Sequence, residues 1–179
     1  RQRQMCIRDR LGDDLKGKID LKEGDRIASL VSLSMTPLKI NKILAIHQDI
    51  DRVEVDAQAI LFESGLYAKL PDDMSEELAL AALDVAGAPA QTRKLVNRGD
   101  SVLILGGAGK SGMLCCYEAM KRCGATGRVV ALVISNEDAR LLKRLRLCHE
   151  AIVVSATEPV AVLEAALEAN GGQEYDVSI

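Results

Sequence analysis

The stretch Ser101-Val102-Leu103-Ile104-Leu105-Gly106-Gly107-Ala108-Gly109-Lys110-Ser111-Gly112 sets the architecture of the chain. Val102 to Leu105 is short and wholly apolar, the pattern of a strand buried on both faces. A helical stretch follows from about Ser111 to Arg122, with Gly124 and Gly127 as its stop. Between them, Gly107, Gly109 and Gly112 satisfy G-x-G-x-x-G at a strand–turn–helix junction. The spacing has a physical reason at each glycine. The first permits a tight turn, the second lets the backbone approach a pyrophosphate, and the third lets helix and strand pack closely. Amides near Lys110 and Ser111 then face the phosphates, with the helix dipole behind them.

The reading is therefore a dinucleotide site made by Gly107, Ala108, Gly109, Lys110, Ser111 and Gly112. The competing phosphate loop, G-x-x-x-x-G-K-[ST], fails on register, because its first glycine would fall at Ile104 inside the strand. A ligand-free βα turn is the structural alternative. The second strand of such a unit commonly ends in an acid that holds the ribose hydroxyls. Here it ends Leu132-Val133-Ile134-Ser135-Asn136-Glu137-Asp138, with no acid at the tip. Ser135, Asn136 and Arg140 are placed to accept a 2′-phosphate instead, and Arg140 equally suits a solvated helix face. NAD and NADP both stay open, with Ser135 added to the expected cofactor contacts.

Beyond this junction, strand and helix alternate to the C-terminus. Val129–Ile134 reads as a strand, Glu137–Leu147 as a helix, Ala151–Val154 as a strand and Pro159–Ala169 as a helix with proline in its first turn. Tyr175–Ile179 opens a fourth strand. Repeated βαβ units predict part of a doubly wound parallel sheet, a Rossmann arrangement, over residues 98–179. Toward the N-terminus, residues 11–97 read as a β-rich unit closing with helices. Its strands are expected at Ile27–Leu33, Ile40–Ile46, Val53–Phe62 and Tyr67–Leu70. Asp73 and Glu76 suggest a capping box for a helix through Val85, which Gly87 and Pro89 interrupt before a second stretch at Gln91–Val96.

Residues 1–10, RQRQMCIRDR, have neither helical nor strand period. They resemble translated adapter sequence and read as a foreign leader, the alternative being a basic arm. The chain carries −3 in formal charge; without this leader the remainder carries −6. A net acidic chain of 179 residues with one Phe, three Tyr and no Trp lacks the basic field and stacking platforms of a nucleic-acid binder. No apolar run reaches the length of a membrane span, so neither nucleic acid nor membrane is an expected partner. Five cysteines, three of them in one helix, form no disulfide framework and suit a cytoplasmic protein. His47 and His149 are isolated.

The order of these motifs carries a resemblance. A Gly24-Asp25-Arg26-Ile27 turn enters the β-rich unit. Ala68-Lys69-Leu70-Pro71-Asp72-Asp73 then precedes a helix, followed by Ala86-Gly87-Ala88 and the glycine loop. This resembles the medium-chain dehydrogenase/reductase superfamily, in which a GroES-like catalytic domain precedes the Rossmann domain. Within it, Val31–Ile40, Ala59–Pro71, Ala82–Thr92 and the Gly109-Lys110-Ser111-Gly112 run resemble the diaminohexanoate dehydrogenase family from about Gly24 to Ile179. The resemblance implies a partial GroES-like domain before the partial Rossmann sheet, and oxidative deamination of an amino-acid substrate with a nicotinamide cofactor in lysine fermentation. It also implies a homo-oligomer when full length, and a fragment inactive alone. Zinc-dependent relatives supply a catalytic Cys and a four-cysteine lobe, whereas this sequence has neither Cys nor His between His47 and Cys115. No metal is therefore expected. Val133 stands near the position where many relatives carry the ribose-binding acid. Asp84 and Glu63 are acids on the segments that would border a substrate; no residue is assigned as the catalytic base.

Overall fold

The computed structural model describes residues 4–7, 10–50 and 52–179. The chain divides into two compact units, the first ending at Asp84 and the second running Val85–Ile179.

The first unit is β-rich. Strands β1 (Gln4–Ile7), β2 (Arg26–Ser29) and β5 (Tyr67–Lys69) form an antiparallel sheet in the order β1-β2-β5. Period-two alternation along β2 feeds two small cores. Ile27 packs with Leu11 and Leu21, while Ala28 packs with Leu70 and Ala79 of helix α1 (Glu76–Val85). Strands β3 (Leu38–His47) and β4 (Arg52–Ala59) make a separate antiparallel ribbon.

Several boundaries differ from expectation, each for a local reason. The apolar run expected to stay extended to Leu33 leaves the sheet after Ser29, whose Oγ accepts a hydrogen bond from the Val31 amide at 3.2 Å. The first helix is capped by Ser75, whose Oγ accepts from the Leu78 amide at 3.3 Å, rather than by Asp73. Part of the leader read as foreign takes part in the fold, since Gln4–Ile7 pair with β2 through the backbone. Such pairing needs no side-chain period. Residues 1–3, 8 and 9 of that leader lie outside the described residues.

The second unit begins earlier than residue 98. Helix α2 (Gly87–Leu95) packs against the helix after the glycine loop, and Thr92 and Val96 are fully buried. Pro89 sits in the first turn of α2, where no intrahelical amide bond is lost. Strands β6 (Ser101–Leu105), β7 (Arg128–Val133), β8 (Glu150–Val153) and β9 (Val177–Ser178) form a parallel sheet in the order β8-β7-β6-β9. Helices α3 (Lys110–Cys123), α4 (Asn136–Leu145) and α5 (Pro159–Ala169) connect them.

Burial explains the topology. Val102, Ile104, Val129, Ala131 and Val133 form one core with Cys115, Cys116, Ala119 and Leu142 from α3 and α4. Leu103 and Val130 point the other way, against Ala166 and Ala169 of α5. Helices thus cover both faces, as a parallel sheet requires. Chain order reverses between β6 and β9, which makes the crevice beyond their carboxyl ends a topological switch point.

Strand β9 is held at its start by Asp176, whose Oδ2 accepts from the Ser101 amide and hydroxyl, both at 2.8 Å. The Ser101 amide bond, more than any other contact, holds the Asp176 carboxyl below its ordinary value. Hydrogen bonds from Lys22 and Lys69 lower Asp25 likewise. Glu77 is lowered by a hydrogen bond from its own backbone amide and by Arg52. A depressed carboxyl stabilises the fold above its unfolded-state value and loses that contribution as pH falls through the folded value. Urea midpoints are therefore expected to be flat from pH 7 down to the carboxylate range and to fall below it. Asp176→Asn is expected to shallow that fall, and an unchanged acid limb in this variant would show that the Ser101 contact contributes nothing.

Candidate functional site

The glycine loop lies where β6 ends, and its backbone is pinned to the neighbouring strand. The amides of Gly106 and Gly107 both donate to the Leu132 carbonyl of β7, at 3.0 and 2.9 Å. The Gly109 amide closes the turn onto the Gly106 carbonyl at 3.1 Å. Four glycines stand here, and the structure separates their roles.

Gly106, which lies before the motif, has φ of +80° and is the residue that makes the tight turn. The motif spacing predicts Gly107 in that role; it is instead buried, and a Cβ there would meet the Ala131 Cβ at 2.7 Å. At Gly112 a Cβ would lie 2.1 Å from the Gly106 carbonyl oxygen and 2.8 Å from the Gly107 Cα. Here the helix is seated directly on the loop. Gly109 is exposed, and its nearest neighbour to a built Cβ is the Gly106 oxygen at 3.4 Å. Its bareness serves no internal contact and leaves the backbone open on the outer side.

Gly109 is also the N-cap of α3, and no side chain caps that helix. The first-turn amides at Lys110, Ser111 and Gly112 therefore carry the positive end of a 14-residue helix toward the open side of the loop. Lys110 is exposed, Ser111 and Ala108 are half-buried, and Ala108 packs on the core beneath. An uncapped helix N-terminus, a bare backbone and a switch-point crevice together fit a pyrophosphate.

The second part of the expected site follows β7. Ile134 is exposed, and Ser135 is the N-cap of α4. Its Oγ accepts from the Asp138 amide at 3.1 Å and donates to Asp138 Oδ2 at 2.8 Å. An acid thus stands beside the tip of β7, although none occupies the strand end in sequence. The S-x-x-D spacing of a capping box is the signal for it. Arg140 is exposed one turn further along α4.

The remaining candidates are accounted for locally. His149 Nδ1 accepts from the Val129 amide at 2.8 Å, so the ring completes β7. His47 Nε2 lies 3.0 Å from Glu54 Oε1 on the ribbon, next to Arg52, which also reaches Glu77 at 2.6 Å. Asp84 is half-buried near the end of α1, and Glu63 is exposed in the turn before β5. Among the described residues, no group of three or more His, Cys, Asp or Glu side chains is close enough to hold a metal ion. No helix among them is long and apolar enough to cross a membrane. Directly under the loop, the Cys116 thiol is pushed up to about 12, first by burial and then by Cys148 and Cys115 nearby.

Comparison with known proteins gives the kinship of this arrangement. Residues 7–71 match the family described as the L-erythro-3,5-diaminohexanoate dehydrogenase N-terminal domain. The chain is similar to curated proteins named L-erythro-3,5-diaminohexanoate dehydrogenase. It is 65% identical to the enzyme of that name from Acetoanaerobium sticklandii and 58% identical to that from Fusobacterium nucleatum. Each match runs over 171 residues, 96% of this chain and 50% of the relative, so the chain spans about half the length of these curated proteins. The fold is that of medium-chain reductases. A mycobacterial protein solved in complex with NADPH aligns over 98% of this chain and 47% of its own, with a TM-score of 0.66 at 21% identity. A quinone oxidoreductase from Pseudomonas syringae aligns over 89% and 42%, with a TM-score of 0.60 at 25% identity.

Two substitutions separate scaffold from site. Gly112→Ala forces the helix off the loop and is expected to cost about 3 kcal/mol in urea denaturation. Gly109→Val, at φ −69° with open space outside, is expected to leave the midpoint within about 0.5 kcal/mol. The native protein is further expected to leave Cys116 unlabelled by iodoacetamide at pH 8, by peptide mass mapping; labelling without unfolding would contradict its burial.

Proposed function

We propose that this chain carries the dinucleotide-binding half-site of an enzyme that oxidatively deaminates L-erythro-3,5-diaminohexanoate to 5-amino-3-oxohexanoate and ammonia, a step of lysine fermentation. The observation that carries the reading is 65% identity to a curated dehydrogenase of that name, running through both units and the glycine loop. A nicotinamide dinucleotide would supply the hydride acceptor. Gly107, Ala108, Gly109, Lys110, Ser111 and Gly112 would hold its pyrophosphate, and Ser135 would lie against its adenosine ribose.

The chain's own contribution is positioning. Bonds from Gly106 and Gly107 to Leu132 fix the loop before any ligand arrives, so little ordering entropy is lost on binding. The uncapped first turn of α3 then offers its amides to the phosphate oxygens. On the substrate side, the C3 amine must lose a proton before hydride can leave C3, and the resulting iminium takes up water and releases ammonia. That sequence needs one base with a pKa near the working pH, and anchors for a carboxylate and a distal ammonium.

The Ser135–Asp138 pair bears on which dinucleotide is preferred. A carboxylate bound to Ser135 repels a 2′-phosphate and suits a ribose with free hydroxyls, which favours NAD. The likeness to a quinone oxidoreductase at 25% identity supports a second reading, reduction of a quinone or enone by the same cofactor. Turnover of 3,5-diaminohexanoate against an enone, by the protein spanning its relatives' full length, separates the two.

Binding is tested on this chain directly. By calorimetry or NADH fluorescence, Gly109→Val is expected to weaken NAD affinity at least about 100-fold while the fold stays intact. Undiminished affinity would refute the site. Asp138→Asn is expected to narrow the preference for NAD over NADP, and a preference that does not move would remove Asp138 from cofactor selection.

A further inference from the structure

Cys116 on α3 is fully buried in the core that backs the glycine loop. Its thiol donates to the Gly107 carbonyl, with sulfur and oxygen 3.9 Å apart. A Cβ placed on Gly107 would lie 3.4 Å from the same sulfur, so the side chain packs on the loop as well as bonding to it. Gly107 is itself buried, and among the described residues no backbone amide donates to its carbonyl. A buried carbonyl without a donor is costly, and here the thiol supplies the donor. Burial pushes that thiol up to about 12, so it keeps its proton, and its capacity to donate, throughout the neutral range.

The direction of the next amide follows. A trans peptide unit is planar, with its C=O and the following N–H pointing opposite ways. None of the described peptide bonds is cis. Holding the Gly107 carbonyl inward on Cys116 therefore turns the Ala108 N–H away from the core. No carbonyl among the described residues accepts from that amide. It stands two residues before Lys110, where the unpaired first-turn amides of α3 begin.

We propose that Cys116 is a positioning residue for the dinucleotide: its bond to the Gly107 carbonyl aims the Ala108 amide at a pyrophosphate oxygen. The inference rests on the glycine loop being a dinucleotide site. Two clamps then act on Gly107, its amide on the Leu132 carbonyl of β7 at 2.9 Å and its carbonyl on α3. Glycine has the widest backbone freedom of any residue, so one clamp alone would leave the second peptide free to turn. An aliphatic side chain at position 116 would fill the space and leave the carbonyl without a donor. A thiol is small enough to sit under the loop and still carries a proton to give.

The test compares Cys116→Ala with Cys115→Ala in the 179-residue chain. Each removes one buried sulfur from the same core, so both are expected to lower the urea midpoint. Only Cys116→Ala is expected to weaken NAD binding, by about 5- to 10-fold in calorimetry. Two measurements on the ligand-free protein read the orientation directly. In Raman difference spectra, the S–H stretch lost with Cys116 is expected at lower frequency than that lost with Cys115, the mark of a bonded thiol. In hydrogen exchange by NMR on the unsubstituted chain, the Ala108 amide is expected to exchange fast and the Gly107 amide slowly. Bound NAD is expected to slow Ala108. Equal weakening of NAD by the two alanine variants, or none by either, overturns the proposal. So does an unshifted Cys116 band, an Ala108 amide already slow without ligand, or one indifferent to bound NAD. An unsubstituted chain that binds no NAD overturns the dinucleotide reading instead, and the Raman band and ligand-free exchange then decide the orientation by themselves.

Discussion

The second unit is organised around the contact of Gly112 with the Gly106 carbonyl and the Gly107 Cα. It seats the first turn of α3 on the end of β6 with no side chain between them. From that position α3 runs back over the sheet and buries Cys115, Cys116 and Ala119 against Val102, Ile104 and Ala131. The same contact leaves the helix N-terminus bare and outward-facing. Close packing and a bare helix N-terminus therefore share one cause, which is how closely helix and strand must approach.

The glycine positions show why spacing and role are different kinds of information. The motif gives Gly107, Gly109 and Gly112 by interval alone. Only Gly112 performs the task its place in the pattern suggests while also being enforced by packing. The turn belongs to Gly106, one residue upstream, and Gly107 is bare because Ala131 of the next strand leaves no room for a Cβ. A neighbour on another strand has no signature in the local sequence. Asp138 makes the same point, since it lies beside Ser135 through a helix cap although it is three residues away in the chain.

In the first unit, local chemistry repeatedly overrides the apolar pattern. Ser29 turns the chain out of the sheet by accepting the Val31 amide, where hydropathy alone predicts continued strand to Leu33. In β3 the opposite holds: hydropathy looks irregular, and the bulges at Asn41 and Leu44 restore a clean face. Period-two reading fails there because a bulge changes parity without changing composition.

Local sequence is enough to establish the alternation of buried strands and helices from Ser101 onward, the glycine loop between the first pair, and the resemblance carried by those motifs. These follow from periodicities and spacings within single elements, which the chain encodes locally. Packing between elements was needed to establish that α2 belongs with the second unit, which glycine makes the turn, that an acid reaches the tip of β7, and that the ribbon presents one apolar face. Each of these depends on groups brought together from separate elements, where close packing and hydrogen-bond satisfaction, rather than sequence interval, set the outcome.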